Sequence, residues 1–295
     1  MEKMSSLELR KIRLQDKNYP AILKEIHNPP KELYIKGEII PQDKVAVAVV
    51  GTRKYTQHGK QVTLDIAGKL AKLGITIVSG LAKGIDSWAH QAALENNGRT
   101  IAVLGTGMDR ESFYPASNFE LSKKIAKNGA VLSEYPVGTR GTQFTFPERN
   151  RIVSGLSLGV VVVEAPEKSG ALITAALAVE QNREVFAIPG SIYEKNSQGT
   201  NQLIKIGAKL VTNVDDILEE LNLSHLRKTA PKKKIKPENK EEEIIISFLS
   251  AQPAHIDEII KKSKLSTAIV NSTLMILELK GGIRNLGKGN YILCT

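Results

Sequence analysis

The sequence of 295 residues contains a single cysteine, Cys294, and no uninterrupted apolar run of about 18 residues. One cysteine excludes a disulfide framework and a cysteine-rich zinc site, and it fits a reducing compartment. The five histidines lack the spacing of metal ligands, so no metal site is expected. No other cofactor is predicted. The missing apolar run excludes a transmembrane helix, and the N-terminal segment lacks the apolar core of a signal peptide. We therefore expect a cytoplasmic protein.

Aromatic residues make up only 5% of the chain, whereas the formal net charge is +10. The excess positive charge is unevenly distributed, because seven basic residues and one acidic residue fall within residues 222–240. This segment also holds two prolines and few large apolar side chains, which is typical of a linker. Its lysines are either simply solvated or weakly attracted to nucleic acid, and the sequence leaves both interpretations open.

Short apolar runs alternate with helical patterns between residues 41 and 221. Several runs are almost continuous Val, Ile and Leu, as expected for strands covered on both faces. The alternation predicts an α/β domain with a mostly parallel sheet and helices on both sides. The predicted strands are Val45–Val50, Ile75–Ser79, Thr100–Leu104, Ala130–Ser133, Gly159–Val163, Glu184–Ile188 and Lys209–Val211.

The two ends of the chain follow different patterns. Residues 1–40 are too short for a domain and are predicted to form an extension, with Leu33–Gly37 as a strand at the sheet edge. Residues 241–295 predict three helices and a hairpin, which is the outline of a small C-terminal winged helix-turn-helix domain. The third helix carries Asn271, Met275 and Glu278 on one face, which is not basic. This face favours a protein partner over duplex DNA, although Arg284 and Lys288 lie in the predicted wing.

In a parallel sheet, ligands bind beyond the carboxyl ends of the strands. Gly51-Thr52-Arg53 follows the first core strand, where it is either a tight structural turn or an anion site. Ser79–Asp86 follows the second strand, and its glycines could expose N–H groups to an anion. Asp86 is interpreted as the N-cap of the next helix rather than as a catalytic acid.

The segment Tyr135–Gly155 combines arginines with two phenylalanines. Arginines that contact phosphates and rings that stack on bases are typical of single-strand binding. The alternative is that Phe144 and Phe146 are core residues.

Glu134 and Glu164 end two strands, where a carboxylate could serve N-glycosidic chemistry. Neither has a well-defined catalytic partner, so structural hydrogen bonding is the better interpretation.

An ordered series of short motifs runs through residues 19–220. The motifs include VVGTR at 49–53, SGLAKGID at 79–86, VLGTGMD at 103–109, SEYPVGT at 133–139, FPERNRIVSGL at 146–156 and VVVEAPEKSGALITA at 161–175. Each motif is weak alone, but the collinear set is specific. In this set the sequence resembles the DNA-processing protein A (DprA/Smf) family.

This resemblance implies an extended Rossmann-like domain that binds single-stranded DNA, forms a homodimer and catalyses no reaction. It also implies a role in competence, natural transformation and DNA recombination. There the protein would protect incoming strands and help load the RecA recombinase in place of single-strand-binding protein. From the resemblance we expect the larger N-terminal helical domain of many members to be absent here or reduced to a remnant.

The resemblance also assigns DNA-binding residues by motif position. They come from the loops after the strands and from the starts of the following helices. They are Gly51, Thr52, Arg53, Ser79, Gly80, Lys83, Phe146, Arg149, Asn150, Arg151, Ser169, Gly170 and Thr174, with Arg140 and Lys168 as weaker candidates.

Two other functions compete with this interpretation. A nucleotide N-glycosidic hydrolase of a related fold would carry Pro-Gly-Gly-x-Gly-Thr-x-x-Glu, but Ser191 follows Pro189-Gly190 here. A transcription regulator would read duplex DNA through the winged helix, which the acidic Glu278 face argues against.

Overall fold

The computed structural model describes residues 8–228, 237–249, 254–280, 282–287 and 289–293. Cys294, Lys288, the side chain of Arg284 and residues 229–236 of the predicted linker lie outside this description. The chain divides into two compact units, Met1–Ala230 and Pro231–Thr295, which are treated separately below.

The first unit is built on one nine-stranded sheet. Its strands are β1 (Arg10–Arg13), β2 (Glu32–Gly37), β3 (Ala46–Val50), β4 (Thr76–Ser79), β5 (Thr100–Leu104), β6 (Ala130–Ser133), β7 (Gly159–Val162), β8 (Glu184–Ala187) and β9 (Lys209–Leu210). They lie in the order β1-β2-β6-β5-β4-β3-β7-β8-β9. Every pair of neighbouring strands in the run β6-β5-β4-β3-β7-β8-β9 is parallel. β2 is antiparallel to both of its neighbours, β6 and β1. The predicted mostly parallel α/β fold is therefore confirmed.

Residues 33–37 form a strand as predicted, within β2, but the prediction that this strand lies at the sheet edge is wrong. β2 pairs with β6 on one side, and β1 covers its other side and forms the sheet edge. The sequence signal for β1 is weak, because only one of its four residues, Ile12, is buried. The N-terminal segment is thus part of the same sheet.

The described part of this unit contains eight α-helices. They are α1 (Ala21–Lys24), α2 (Gln57–Lys72), α3 (Ile85–Glu95), α4 (Phe119–Asn128), α5 (Thr145–Gly155), α6 (Gly170–Glu180), α7 (Gln198–Lys205) and α8 (Val214–Glu220). Each helix from α2 to α7 connects two successive strands of the parallel part of the sheet, whereas α1 lies between β1 and β2 and α8 follows β9. Polar side chains begin several of them, because the first N–H groups of a helix have no partner inside it. Thr56 accepts the N–H of Gly59 before α2, and Ser169 accepts the N–H of Ala171 before α6.

The core lies on both faces of the sheet. Successive residues of a strand point to opposite faces, so Val47 and Val49 pack on one side and Ala48 and Val50 on the other. The first side is covered by α2, α3 and α8, and the second by α5 and α6. Every residue of β3 and β7 is buried, which explains why their sequences are continuous apolar runs.

The second unit confirms the predicted winged helix. Its elements are α9 (Lys240–Phe248), β10 (Ala254–His255), α10 (Ile256–Ser263), α11 (Thr267–Leu279), β11 (Ile283–Gly287) and β12 (Asn290–Leu293). The strands form a small sheet in the order β10-β12-β11. Val270, Leu274 and Leu277 of α11 are fully buried, as the apolar stripe predicts.

No helix in the described part of the chain combines the length and the apolar character that a membrane span requires.

Candidate nucleic-acid interface

The main pocket of the first unit opens beyond the carboxyl ends of the central parallel strands. It has a volume of about 850 Å³. The order of strands reverses at β3, with β4 to β6 on one side and β7 to β9 on the other. Loops diverge at such a switch point and leave a crevice, which is the common ligand position in open α/β sheets. The pocket is lined by the loops after β3, β4, β5, β6 and β7 together with one side of α5.

Four cationic side chains line the pocket and are exposed: Arg53, Lys54, Arg140 and Lys168. We call this set the rim. They come from three different loops, so the sheet brings together charges that are up to 115 positions apart in the sequence. Among the described residues, none of the rim cations forms an ion pair, so each is available to an incoming anion.

Aromatic rings stand beside the rim. The guanidinium carbon of Arg53 lies 5.7 Å from the ring centroid of Phe146. The ring centroid of Tyr114, which comes from the loop after β5, lies 5.5 Å from the ring centroid of Phe146. Phe146 is half-buried and lines the pocket, whereas Phe144 is 71% exposed. The core alternative for Phe144 is therefore wrong. The half-buried ring of Phe146 beside Arg53 and the exposed ring of Tyr114 fit base stacking.

An internal carboxylate occupies the anion nest predicted after β4. Asp86 accepts the N–H of Gly80 at 3.1 Å and the N–H of Ala82 at 3.4 Å. The prediction that Asp86 is an N-cap is wrong, because α3 begins at Ile85 with Gly84 as its cap. Gly84 has a φ of +89° and packs against the backbone of Thr52 and Arg53, so a side chain there would push the two loops apart. The amides of this nest consequently bind Asp86 and not an external phosphate.

Arg149 forms part of the pocket floor but is only 5% exposed. Its Nη1 donates to the carbonyl of Val103 at 2.5 Å, and its guanidinium packs directly on Gly80. Burial lowers the pKa of Arg149 to about 10, and the Asp86 charge opposes that shift. Burial raises the pKa of the Asp86 carboxyl, and Arg149 opposes that shift in turn. The two buried charges therefore support each other beneath the pocket.

His90 of α3 lies under this pair and is fully buried. Its Nδ1 lies 2.6 Å from the hydroxyl oxygen of Thr100. That hydroxyl donates its proton to the carbonyl of Ile77, so its oxygen accepts a hydrogen bond from the Nδ1–H of His90. Burial and the Arg149 charge lower the pKa of His90 to about 3. His90 is therefore neutral in the folded protein over the ordinary pH range.

We expect the free energy of unfolding to fall as the pH drops from about 6.5. Below that pH, His90 binds a proton in the unfolded chain, whereas in the folded protein it stays neutral down to about pH 3. This single site therefore lowers the free energy of unfolding by up to about 1.4 kcal/mol for each pH unit. Urea unfolding between neutral and mildly acidic pH measures this, with emission of the single tryptophan as the signal. His90→Gln should flatten the slope, and His58→Gln, which removes an exposed imidazole, should not. Equal slopes in all three proteins would contradict the assignment.

Three of the predicted site residues do not line the pocket. The Ser79 hydroxyl is buried and donates to the carbonyl of Val49. Arg151 is 8% exposed, and its Nη2 binds both oxygens of Glu134 at 2.7 and 2.8 Å while its Nε donates to the carbonyl of Asn28. Lys83 is exposed outside the pocket lining. The first two are engaged in holding the fold together.

The remaining predicted residues line the pocket. They supply backbone atoms, hydroxyls or amide groups in addition to the charges described above. Asn150 donates to the carbonyl of Gly170 at 3.3 Å, which connects α5 to the start of α6. These residues are Gly51, Thr52, Arg53, Gly80, Arg140, Phe146, Arg149, Asn150, Lys168, Ser169, Gly170 and Thr174.

The two strand-end glutamates have structural partners. Glu164 is buried and accepts the N–H and the hydroxyl of Thr56, while Glu134 pairs with Arg151. Among the described residues, no group of three or more His, Cys, Asp or Glu side chains converges as a metal site. Asp86 and Glu111 are the carboxylates in the described pocket lining, and Asp86 is held by backbone N–H groups.

The prediction missed several lining residues, notably Lys54, Glu111, Tyr114 and Gln143. Lys54 directly follows the Gly51-Thr52-Arg53 motif, so its position was available from the sequence. Tyr114 lies well beyond the end of β5, so the predicted strand places its loop at this edge of the sheet but does not place its ring in the pocket.

In the second unit, α11 has an exposed face that is largely apolar. Met275 is 66% exposed and Leu279 is 80% exposed, while Asn271 and Glu278 are also on the surface. Glu278 accepts the N–H of Asn285 in β11. The face thus lacks the basic residues that contact phosphates in duplex readers.

Family models match both parts of the chain. The model described as DNA recombination-mediator protein A matches residues 10–222, and the model described as DprA winged helix domain matches residues 229–289. The DNA processing protein DprA of Streptococcus pneumoniae is 50% identical over 206 residues, covering 70% of this chain and 72% of that protein. The DNA processing protein DprA of Bacillus subtilis is 44% identical over 221 residues, covering 75% and 74%.

Solved structures agree with these matches. The X-ray structure of DNA processing protein A from Streptococcus pneumoniae has a TM-score of 0.67 at 44% identity, and the match covers 74% of this chain and 76% of that one. A structure concerning the single-stranded DNA binding mode of DNA processing protein A from Helicobacter pylori has a TM-score of 0.65 at 33% identity. That match covers 75% of this chain and 98% of the other.

Proposed function

Because this chain belongs to the DNA recombination-mediator protein A family, we propose that it binds single-stranded DNA in the pocket at the strand ends of its first unit. The observation that carries the proposal is the meeting of the exposed rim cations with the rings of Phe146 and Tyr114. The structure of a relative that concerns single-stranded DNA binding supports it.

The chemistry of the rim and the rings matches a single strand. Exposed arginine and lysine contact phosphates, and an aromatic ring accepts any base because every base has a π-face. Such stacking contributes about 1–3 kcal/mol per base without sequence preference. The pocket floor has a different role, because its buried charges, Asp86 and Arg149, offset each other. Phosphates would therefore lie at the rim and not at the floor.

A duplex fits this surface poorly. In a duplex both faces of each base are already stacked on neighbours, so the rings beside the rim would have no base to contact. The rim could still attract duplex phosphates, but it would lose the stacking contribution. We infer that the pocket discriminates in favour of unpaired strands.

The proposed cellular role follows from the family. We propose that the protein acts in natural transformation and recombination, protects incoming single strands and helps load the RecA recombinase in place of single-strand-binding protein. We further propose that it works as a homodimer and without catalysis. In support, each carboxylate that ends a core strand, Glu134 and Glu164, already has a structural partner.

The parts of the chain receive different roles in this proposal. Residues 41–221, with the extension 1–40, would hold the strand, and the basic segment 222–240 would connect them to the winged helix at 241–295. The exposed face of α11 supports a protein contact for the winged helix, because a largely apolar surface that carries the acidic Glu278 gains nothing from phosphates.

Binding assays test the proposal against its alternatives. We expect labelled oligothymidine to raise fluorescence anisotropy at concentrations where the same length of duplex does not, since only the single strand offers free base faces. The duplex is the matched control, and a mixed-sequence single strand checks for lack of sequence preference. Equal affinity for duplex and single strand would overturn the proposal. Release of free base from nucleotides would favour the hydrolase alternative, with Glu111 as its exposed carboxylate.

A further inference from the structure

A second aromatic and cationic cluster lies outside the pocket lining. It consists of Tyr55, Lys60 and Trp88, the single tryptophan of the chain. The Nζ of Lys60 lies 3.8 Å from the ring centroid of Trp88, and the ring of Tyr55 meets Trp88 edge-on at 5.8 Å. All three side chains are half-buried, so each keeps part of its surface in contact with solvent.

The cluster is continuous with the pocket. Lys54 is part of the rim, and Tyr55 is the next residue in the chain. On the other side, Gly84 packs against Thr52 and Arg53, and the N–H of Trp88 donates to the carbonyl of Gly84 at 3.2 Å. Helical side chains lean toward the N-terminus of their helix, which directs Trp88 back toward this junction. A strand that leaves the pocket past Arg53 and Lys54 would therefore reach Trp88 next.

The surroundings of the cluster are positively charged. Arg53, Lys54 and Lys83 are exposed, and Lys60 adds a half-buried ammonium. The carboxylates that contact these loops, Asp86 and Glu164, are buried and held by hydrogen bonds. The charge that solvent meets in this region is cationic, as an approaching phosphate requires.

From these contacts we propose that Tyr55, Lys60 and Trp88 form a second nucleotide subsite, which takes one unpaired nucleotide where the strand leaves the pocket. The base stacks on the Trp88 ring, and the Lys60 ammonium moves from that ring to the adjacent phosphate. Lys83 contacts the following phosphate, which gives this exposed residue a role outside the pocket. The inference rests on the proposed binding of single-stranded DNA and extends it beyond the rim.

A purely structural role for the cluster predicts something different. The contact between Lys60 and Trp88 would then only join α2 to α3, and its loss would change stability without changing affinity. The chain offers a matched control for that case. Lys11 lies 5.2 Å from the ring centroid of Tyr34 at the β1–β2 edge, which is the same kind of contact outside the pocket.

Tryptophan emission tests the subsite directly, because all of it comes from Trp88. We expect an oligothymidine of about four nucleotides to bind without changing the emission and one of about twelve to quench it, since only the longer strand extends past the pocket. Binding itself is measured separately by the anisotropy of a labelled strand. This separation distinguishes failure of the subsite from failure of the proposed function.

Substitutions provide the second arm of the experiment. Trp88→Leu should weaken binding of the longer strand roughly tenfold and leave the short one unaffected, whereas Trp88→Phe should keep most of the affinity. Lys60→Ala should flatten the salt dependence, while Lys11→Ala should not. The urea midpoint of each variant, followed by circular dichroism, confirms that it is folded.

The outcomes are distinct. Quenching by the longer strand, together with the tenfold loss in Trp88→Leu and its recovery in Trp88→Phe, would support the subsite. Binding of both strands with unchanged emission and unchanged affinity in Trp88→Leu would overturn the subsite and leave the proposed function standing. Absence of any anisotropy change with single strands would overturn both.

Discussion

Arg149→Ala is expected to lower the free energy of unfolding of the first unit by about 3 kcal/mol. The substitution removes a buried guanidinium, its hydrogen bond to the carbonyl of Val103 and its contact with Gly80. It also leaves the Asp86 carboxylate buried without the charge that favours its ionised form. Single-strand binding should fall with it, because Gly80 and the loop after β4 lose their support. Urea unfolding followed by Trp88 emission reports this unit specifically.

Two control variants identify the cause. Arg140→Ala removes an exposed arginine from the same pocket and should change the stability by no more than about 0.5 kcal/mol. The double variant Asp86→Asn/Arg149→Met removes both buried charges and should regain part of the lost stability, because the uncompensated carboxylate is gone. If Arg149→Ala were as stable as Arg140→Ala, the buried pair would not support the pocket.

Arg53→Ala is expected to weaken single-strand binding by at least an order of magnitude with little change in stability. Arg53 is exposed, lines the pocket and lies over the ring of Phe146, so its loss removes a charge-assisted contact worth about 1.5–3 kcal/mol. The plot of log affinity against log salt should also flatten by about 0.7 for the lost phosphate contact. Titrations at two or more salt concentrations measure both effects.

The comparison for Arg53 is Arg13→Ala. Arg13 is an exposed arginine of β1 that is absent from the pocket lining, and the substitution removes the same net charge. It should therefore leave both the affinity and the salt slope almost unchanged. An equal loss in the two variants would mean that binding depends on overall charge and not on the rim.

The helical period on α5 could have corrected one predicted residue. Phe146, Arg149, Asn150 and Val153 line the pocket and share one stripe of the helix, with spacings of three and four residues. Arg151 follows Arg149 by two positions, which places it about 200° around the helix. Its assignment to the pocket came from the motif as a unit, whereas the structure pairs it with Glu134 on the opposite side.

The sequence by itself determined the parallel sheet, the position of the loops that line the pocket, and the winged helix. Strands covered on both faces need continuous apolar runs, and a helix packed on one side needs an apolar stripe, so both leave local patterns. The loops that follow such strands must then meet at one edge of the sheet. These features depend on residues that are close together in the chain.

Only the tertiary structure decided which charges face solvent. Arg53 is exposed, whereas Arg149 and Arg151 are buried, because the partners that neutralise the latter two come from other loops. In the same way, Asp86 fills the predicted anion nest, β1 displaces β2 from the sheet edge, and Lys60 meets Trp88 from another helix. Each outcome depends on groups far apart in the sequence, and the energy of a charge depends on how deeply its neighbours bury it.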